Sequence, residues 1–197
     1  MSDLPALSLS KGIRSFIAVP VPPEAAGKLH AAQETLRRAA PAVKWVDPNS
    51  FHITLKFLGG VLPDRLQQTW QAVAAALPGA ASFTMRFHGI GAFPSANRPR
   101  VIWAGLTDGA ADLTALAARV EQACVALDFE PEARPFHPHL TLGRAREAKP
   151  DPDLSAAIAR LAQEELGEVP VDRLLLMKSE LTPRGAIYHV LQEYALL

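Results

Sequence analysis

Two periods of hydrophobic and polar positions alternate along the chain. Ile13 to Val19 is a compact apolar stretch and predicts a strand, closed by Pro20, Pro22 and Pro23. Glu24 to Ala40 is Ala-rich, with Leu29 and Leu36 on one helical face and a proline suited to its first turn. Val43 to Val46 is a short extended piece ended by Asp47-Pro48, and Phe51 to Leu58 reads as a strand closed by Gly59-Gly60. Behind Pro63-Asp64, the residues Leu66, Trp70, Val73 and Leu77 recur at helical spacing. Ser82 to Ile90 alternates, with Phe83, Met85 and Phe87 on one side and Thr84, Arg86 and His88 on the other. Gly91 to Pro99 predicts a turn-rich loop, and Val101 to Leu106 a strand. Leu113, Leu116, Val120, Cys124 and Leu127 predict a helix over Asp112 to Leu127. Phe136 to Leu142 reads as a strand, and Leu154, Ile158 and Leu161 mark a last helix. Val169 to Met177 and Ile187 to Tyr194 are strands around the loop Thr182 to Gly185.

Strands often follow one another directly, with about four helices among them, which predicts an α+β fold built on largely antiparallel sheet. The stretches Pro131 to Pro138 and Arg144 to Pro152 are too short for interdomain linkers, so residues 1–197 read as one domain. Of the 197 residues 49% are hydrophobic and 20% charged, an ordinary globular composition that excludes disorder, collagen and coiled coil. Twenty Lys and Arg balance twenty Asp and Glu, which argues against holding long duplex nucleic acid mainly by charge. Recognition of one phosphate in one cleft stays open. The single cysteine, Cys124, allows no intramolecular disulfide and no zinc finger, and suits a reducing compartment. Met1 to Ser10 does not read as a signal peptide, and no window holds 18 uninterrupted apolar residues. The expectation is a cytoplasmic protein with no membrane attachment.

One tetrapeptide pattern occurs twice: His52-Ile53-Thr54-Leu55 and His139-Leu140-Thr141-Leu142, both in predicted strands. At average residue usage, two copies of His-x-Thr-Leu arise by chance with a probability of roughly 10⁻³. Side chains alternate across a strand. Phe51, Ile53, Leu55 and Phe57 therefore share one face of the first copy, and His52, Thr54 and Lys56 the other. In the second copy Phe136, Pro138, Leu140 and Leu142 face the core, while His137, His139, Thr141 and Gly143 share the opposite face. Each strand thus buries an apolar face and presents a His and a Thr side by side. A lone His on a polar face is ordinarily solvated; duplication on matching faces moves the weight to chemistry. A neutral imidazole takes a proton and an imidazolium gives one. A pair of them brackets displacement at phosphorus, one activating water and the other protonating the leaving oxygen, each worth about 10²–10⁴ in rate. The two Thr hydroxyls donate to the non-bridging oxygens. No metal or other cofactor is required. A ribose 2′,3′-cyclic phosphate suits this logic.

The paired motif, about ninety residues apart, resembles the two-histidine phosphoesterase superfamily and most closely its LigT-like branch, the RNA 2′,3′-cyclic phosphodiesterases first described as 2′-5′ RNA ligases. The likeness extends through Arg14 to Val19, Lys44-Trp45-Val46, Phe51 to Gly59, Pro138 to Arg144, and Ser179-Glu180-Leu181 before Tyr188. The resemblance implies a bilobal α+β fold with two pseudo-symmetric lobes and the His-Thr pairs in a central cleft. It also implies hydrolysis of RNA 2′,3′-cyclic phosphates, or of cyclic nucleotides, to 2′-phosphates. By family analogy His52 is the proton donor, His139 the proton acceptor, and Thr54, Thr141 and Arg144 bind phosphate; the residues alone do not order the two His roles. Strict alternation puts Arg144 off the His139 face, so a bend at Gly143 has to bring it to phosphate. The expected protein is a monomer.

Three alternatives stand beside this reading. One is RNA ligation at a 2′-5′ bond, the same acid and base run backwards. Another is a metal hydrolase or oxygenase with His52, His137 and His139 as ligands. The third is an RNA-end binder without turnover. Among other residues, Trp45 and Phe57 suit core packing better than base stacking, although stacking serves single-stranded ends. Lys44, Lys56, Arg98 and Arg100 read as solvated charges before they read as guides for an RNA backbone. His137 reads as a solvated loop-edge residue, His30, His88 and His189 belong to no constellation, and Ser179 has no base near it in sequence.

Overall fold

A computed structural model describes residues 12–182 and 185–197 of the chain. Met1 to Ser10, where no signal peptide is read, and part of the Thr182 to Gly185 loop lie outside the described residues.

The first sheet runs β3 (His52–Val61), β1 (Ile13–Pro20), β8 (Arg173–Thr182), β9 (Gly185–Ala195). The second runs β2 (Lys44–Trp45), β6 (Leu140–Arg144), β5 (Arg98–Leu106), β4 (Phe83–Ser95), β7 (Glu165–Val171). Every pairing is antiparallel. The helices are α1 (Gly27–Ala39), α2 (Pro63–Ala76), α3 (Ala110–Val125) and α4 (Pro152–Arg160). This is the α+β architecture that the alternating pattern predicts.

The chain order strand–helix–motif strand–helix occurs twice, as β1-α1-β3-α2 and β5-α3-β6-α4. In both cases the motif strand lies beside the strand that precedes it in its unit. The connecting helices cross over. Helix α1 leaves the first sheet and packs on β7 of the second, together with α4. Helix α3 leaves the second sheet and packs on β3 of the first, together with α2. One continuous core results, from Ile17 and Ile53 through Leu113 and Val120 to Ile102 and Leu140. Each such fully buried aliphatic side chain contributes roughly 1.5–3 kcal/mol. The exchange also brings the motif strands together. β3 is the outer strand of its sheet, β6 has only the two-residue β2 outside it, and the two are in contact.

Four boundaries differ from the sequence expectation. The expected strand Phe136 to Leu142 is β6, Leu140–Arg144, so Phe136 to His139 lie in the extended segment before the strand and not on one of its faces. Gly91 to Pro99 is mostly not a loop: β4 and β5 run on through it as one hairpin turning at Ala96-Asn97. Its glycine and prolines are read by pairing, with Pro94 at a register shift, where a residue without an N–H is tolerated. The expected strand Val169 to Met177 is two strands, β7 and β8, which belong to different sheets and are separated by Asp172 alone. An apolar run does not show which sheet it enters. The first motif strand continues through Gly59-Gly60, because Gly59 takes φ +77°, a left-handed conformation glycine adopts without strain.

Candidate active site

The alternation assumed for the two motif strands breaks at the same motif position in each. On β3, Thr54 lies opposite Ala18 and Lys56 opposite Ile17, so Leu55 is an extra residue, a β-bulge. The bulge reverses the facing of the residues beyond it. Lys56 is turned into the core at 2% exposure, and Phe57 comes out at 42%. Both placements correct the strict alternation, which put Phe57 inside and Lys56 beside His52. On β6, Thr141 lies opposite Trp103 and Gly143 opposite Ile102, so Leu142 is the extra residue. Gly143 therefore turns inward, where a Cβ would come within 2.6 Å of the Trp45 ring. Arg144 is returned to the face that carries Thr141. The bend lies at Leu142, one residue before the expected Gly143. The bulge is clamped by Gln33 of α1, fully buried, whose amide Nε2 donates to Leu142 O at 2.9 Å and Val46 O at 2.7 Å.

The two motif histidines are held alike. His52 Nδ1 lies 2.7 Å from Ser50 O, and His139 Nδ1 lies 2.7 Å from His137 O. A carbonyl only accepts, so each Nδ1 carries the hydrogen and each neutral ring keeps its lone pair on Nε2. The Ser50 carbonyl ends a short 3-10 turn, Pro48–Ser50, capped by the Asp47 side chain accepting from the Asn49 N–H. Both imidazoles titrate below the usual histidine range. Burial is the main cause for each; the bonds to Ser50 O and His137 O oppose it. The Arg144 cation depresses both, and His137 adds to the effect on His139. The Arg144 guanidinium is thus within electrostatic reach of both rings, and the strands β3 and β6 are in contact.

Each ring has aromatic walls. His52 lies 4.9 Å from the Phe16 ring and 5.0 Å, edge-on, from Tyr188. His139 lies 5.5 Å from Phe93 and 6.4 Å from Trp103. An open cavity of about 660 Å³ is lined by Thr54 of one motif and His139 of the other.

Comparison with known proteins identifies the family. The chain matches the family described as LigT like Phosphoesterase over residues 19–103 and 106–188, one motif in each segment. The chain belongs to the LigT-like phosphoesterase family. It is 34% identical over 167 residues to an Aeropyrum pernix protein named RNA 2′,3′-cyclic phosphodiesterase, covering 85% of this chain and 94% of that one. A Methanothermobacter thermautotrophicus protein of the same name is 33% identical over 184 residues, covering 93% and 99%. Among solved structures, TT0787 of Thermus thermophilus superposes with a TM-score of 0.76 at 31% identity, covering 93% of this chain and 98% of that one.

Other sequence candidates in this LigT-like chain take structural places. Lys56 Nζ meets Glu121 Oε2 at 2.9 Å and Glu130 O at 2.7 Å, tying β3 to α3 and the segment after it. Trp45 packs against the core and donates its indole N–H to Ala40 O. Cys124 is buried, and burial raises its thiol to about 11, which leaves it unreactive. His137 is exposed, yet its ring lies 5.4 Å from Phe93, 5.5 Å from Trp103 and 5.9 Å from His139. Among the described residues no group of three or more His, Cys, Asp or Glu side chains is arranged to hold a metal ion, His52, His137 and His139 included. No helix among them is long and apolar enough to cross a membrane.

Sequence reasoning missed Gln33 and the walls formed by Phe16, Phe93 and Trp103. Gln33 had a signal, a lone amide on the apolar stripe of Leu29, Ala32 and Leu36. Phe16 had one too, since an unbroken apolar strand implies two covered faces. Phe93 fell in the stretch read as a loop.

Proposed function

We propose that this protein opens RNA 2′,3′-cyclic phosphate ends to 2′-phosphates, with His52 and His139 as a metal-independent acid and base. Water attacks phosphorus while His139 Nε2 takes its proton. The P–O3′ bond breaks as His52 gives its Nε2 proton to the leaving 3′ oxygen. The cycle ends with both histidines exchanged in protonation state, and solvent resets them. Thr54 and Thr141 hydroxyls and the Arg144 guanidinium hold the non-bridging oxygens as charge builds on them. Arg144 makes no ion pair among the described residues, which leaves its charge for an anionic ligand. The assignment of donor to His52 and acceptor to His139 follows the family resemblance.

The observation that carries the reading is the matched tether of the two rings, each Nδ1 on a carbonyl two residues earlier and each Nε2 left to act. The names of the Aeropyrum and Methanothermobacter relatives support the substrate class.

The test is an end-group assay. A short RNA ending in 2′,3′-cyclic phosphate is incubated in EDTA and the products are resolved as 2′- or 3′-phosphate. The expected product is 2′-phosphate, lost in both His52→Ala and His139→Ala. Turnover only after adding a divalent metal overturns the metal-free scheme. Joining of a 5′-hydroxyl RNA without hydrolysis points to ligation, and binding with no turnover under any condition points to an end binder.

A further inference from the structure

We propose that Lys56 and Glu121 are positioning residues for His139: they anchor the segment whose carbonyl holds that ring, and so couple the first motif strand to the chemistry of the second motif. The role given to His139 rests on the two-histidine reading. The two tethers are alike at the ring and unlike behind it. Ser50, which tethers His52, sits in a turn closed by main-chain bonds, Ser50 N–H to Asp47 O at 2.8 Å and Phe51 N–H to Pro48 O at 3.3 Å. Val21 N–H holds the next carbonyl, Phe51 O, at 2.9 Å. His137, which tethers His139, has no such frame. It lies in residues 130–138, a stretch without helix or strand between α3 and β6. Among the described residues no hydrogen bond between main-chain groups begins or ends in that stretch.

The stretch is held by side chains instead. Lys56 Nζ donates to Glu130 O at 2.7 Å, and a Glu121 carboxylate oxygen accepts the Glu132 N–H at 2.8 Å. The same carboxylate meets Lys56 Nζ at 2.9 Å, so both holds belong to one ion pair. The Glu132 carboxylate adds a longer contact to Lys56 Nζ, 3.6 Å. At the far end Phe136 packs against the core, and the His137 ring meets Phe93 and Trp103. Residues 130–135 are otherwise exposed. Lys56 reaches them from the buried side because the bulge at Leu55 turns it inward. Charge-assisted bonds of this kind are about twice as strong as neutral ones, which suits them to replace a missing ladder. Without the pair, the start of the stretch is released to solvent and His137 O shifts against β6. His139 Nδ1–H then loses its acceptor, and the ring no longer aims Nε2. The frame behind His52 is untouched.

The experiment uses Lys56→Met and the double variant Lys56→Met/Glu121→Leu. The single variant leaves a carboxylate without its cation, so it loses stability and kcat together. The double variant removes both charges, a replacement that often leaves stability unchanged or raises it. Its kcat should still fall by roughly 10- to 100-fold, the cost of a slightly misplaced catalytic group, with KM moved less. Recovery of kcat along with the urea midpoint, or a loss confined to KM, overturns the proposal. Nitrogen–proton NMR correlation at about pH 8, where both rings are neutral, reads the tautomers without turnover. The wild type should carry the hydrogen on Nδ1 of His52 and of His139. In the double variant His139 should become a mixture of tautomers while His52 keeps its own. A His139 that stays on Nδ1, or an equal change in both rings, sinks the proposal. A change in His139 alone upholds the anchor even where the wild type hydrolyses no cyclic phosphate and the proposed reaction itself fails.

Discussion

Each motif histidine is tied at Nδ1 to a carbonyl, and a neutral ring so held has one nitrogen left for proton transfer. Replacement of either by Ala is expected to lower kcat by about 10²–10⁴, the usual worth of one positioned acid or base, in a single-turnover assay. In the proposed mechanism the active form has one imidazole protonated and the other neutral. Both rings titrate below the usual value of 6.5, chiefly through burial, so that form peaks in the free enzyme on the acid side of 6.5. The kcat/KM profile should be a bell centred below pH 6.5, and the kcat profile should lie higher, because a bound phosphate anion favours imidazolium. A kcat/KM optimum above neutral pH would contradict the burial argument. The same shifts bear on stability. A lowered folded pKa means that the unfolded chain binds more protons as pH falls from 6.5, so the two histidines weaken the fold in acid and cost nothing above 6.5. Lys56 shows how one residue step changes a role. Turned inward, it joins Glu121 and the Glu130 carbonyl. Lys56→Ala should lower the urea midpoint by the equivalent of about 1–3 kcal/mol, with no change in the salt dependence of RNA-end binding. A changed salt slope at normal stability would restore the backbone-guide reading.

At the scale of elements, the decisive features are two bulges, neither visible in the tetrapeptides. Periodicity finds both motif strands and four helices, because burial of one face imposes spacing that survives in sequence. It finds no bulge, because an extra residue in a strand is specified by the partner strand's register. In the second motif the extra residue is held from outside the sheet by Gln33, with Val46 N–H also donating to Leu142 O. Gln33→Leu keeps the volume and removes two hydrogen bonds. It should cost about 1–3 kcal/mol in chemical denaturation and raise KM for the cyclic phosphate, because Arg144 loses its register. An unchanged KM at reduced stability would show that Arg144 is held by β5 and β2 alone.

At the scale of the molecule, α1 and α3 each cover the sheet they did not come from, and a single core runs through both halves. Unfolding is therefore expected in one cooperative step. Variants retaining only Trp70, in the α2 layer, or only Trp103, beside His139, should give coincident urea transitions. Separate midpoints would mean two independent lobes. The crossing also explains why the site was partly legible beforehand. Hydrophobic spacing and a repeated motif are local properties, written wherever a strand hides one face and shows the other. They determined the α+β class and the helices, and they made the repeated His-x-Thr-Leu pattern legible. Which sheet each strand joined, where Asp172 passes the chain between sheets, and which way Lys56, Phe57 and Arg144 face were decided only by tertiary structure. Those properties depend on the register of strands distant in sequence and on the helix packed behind them, and no local period records either.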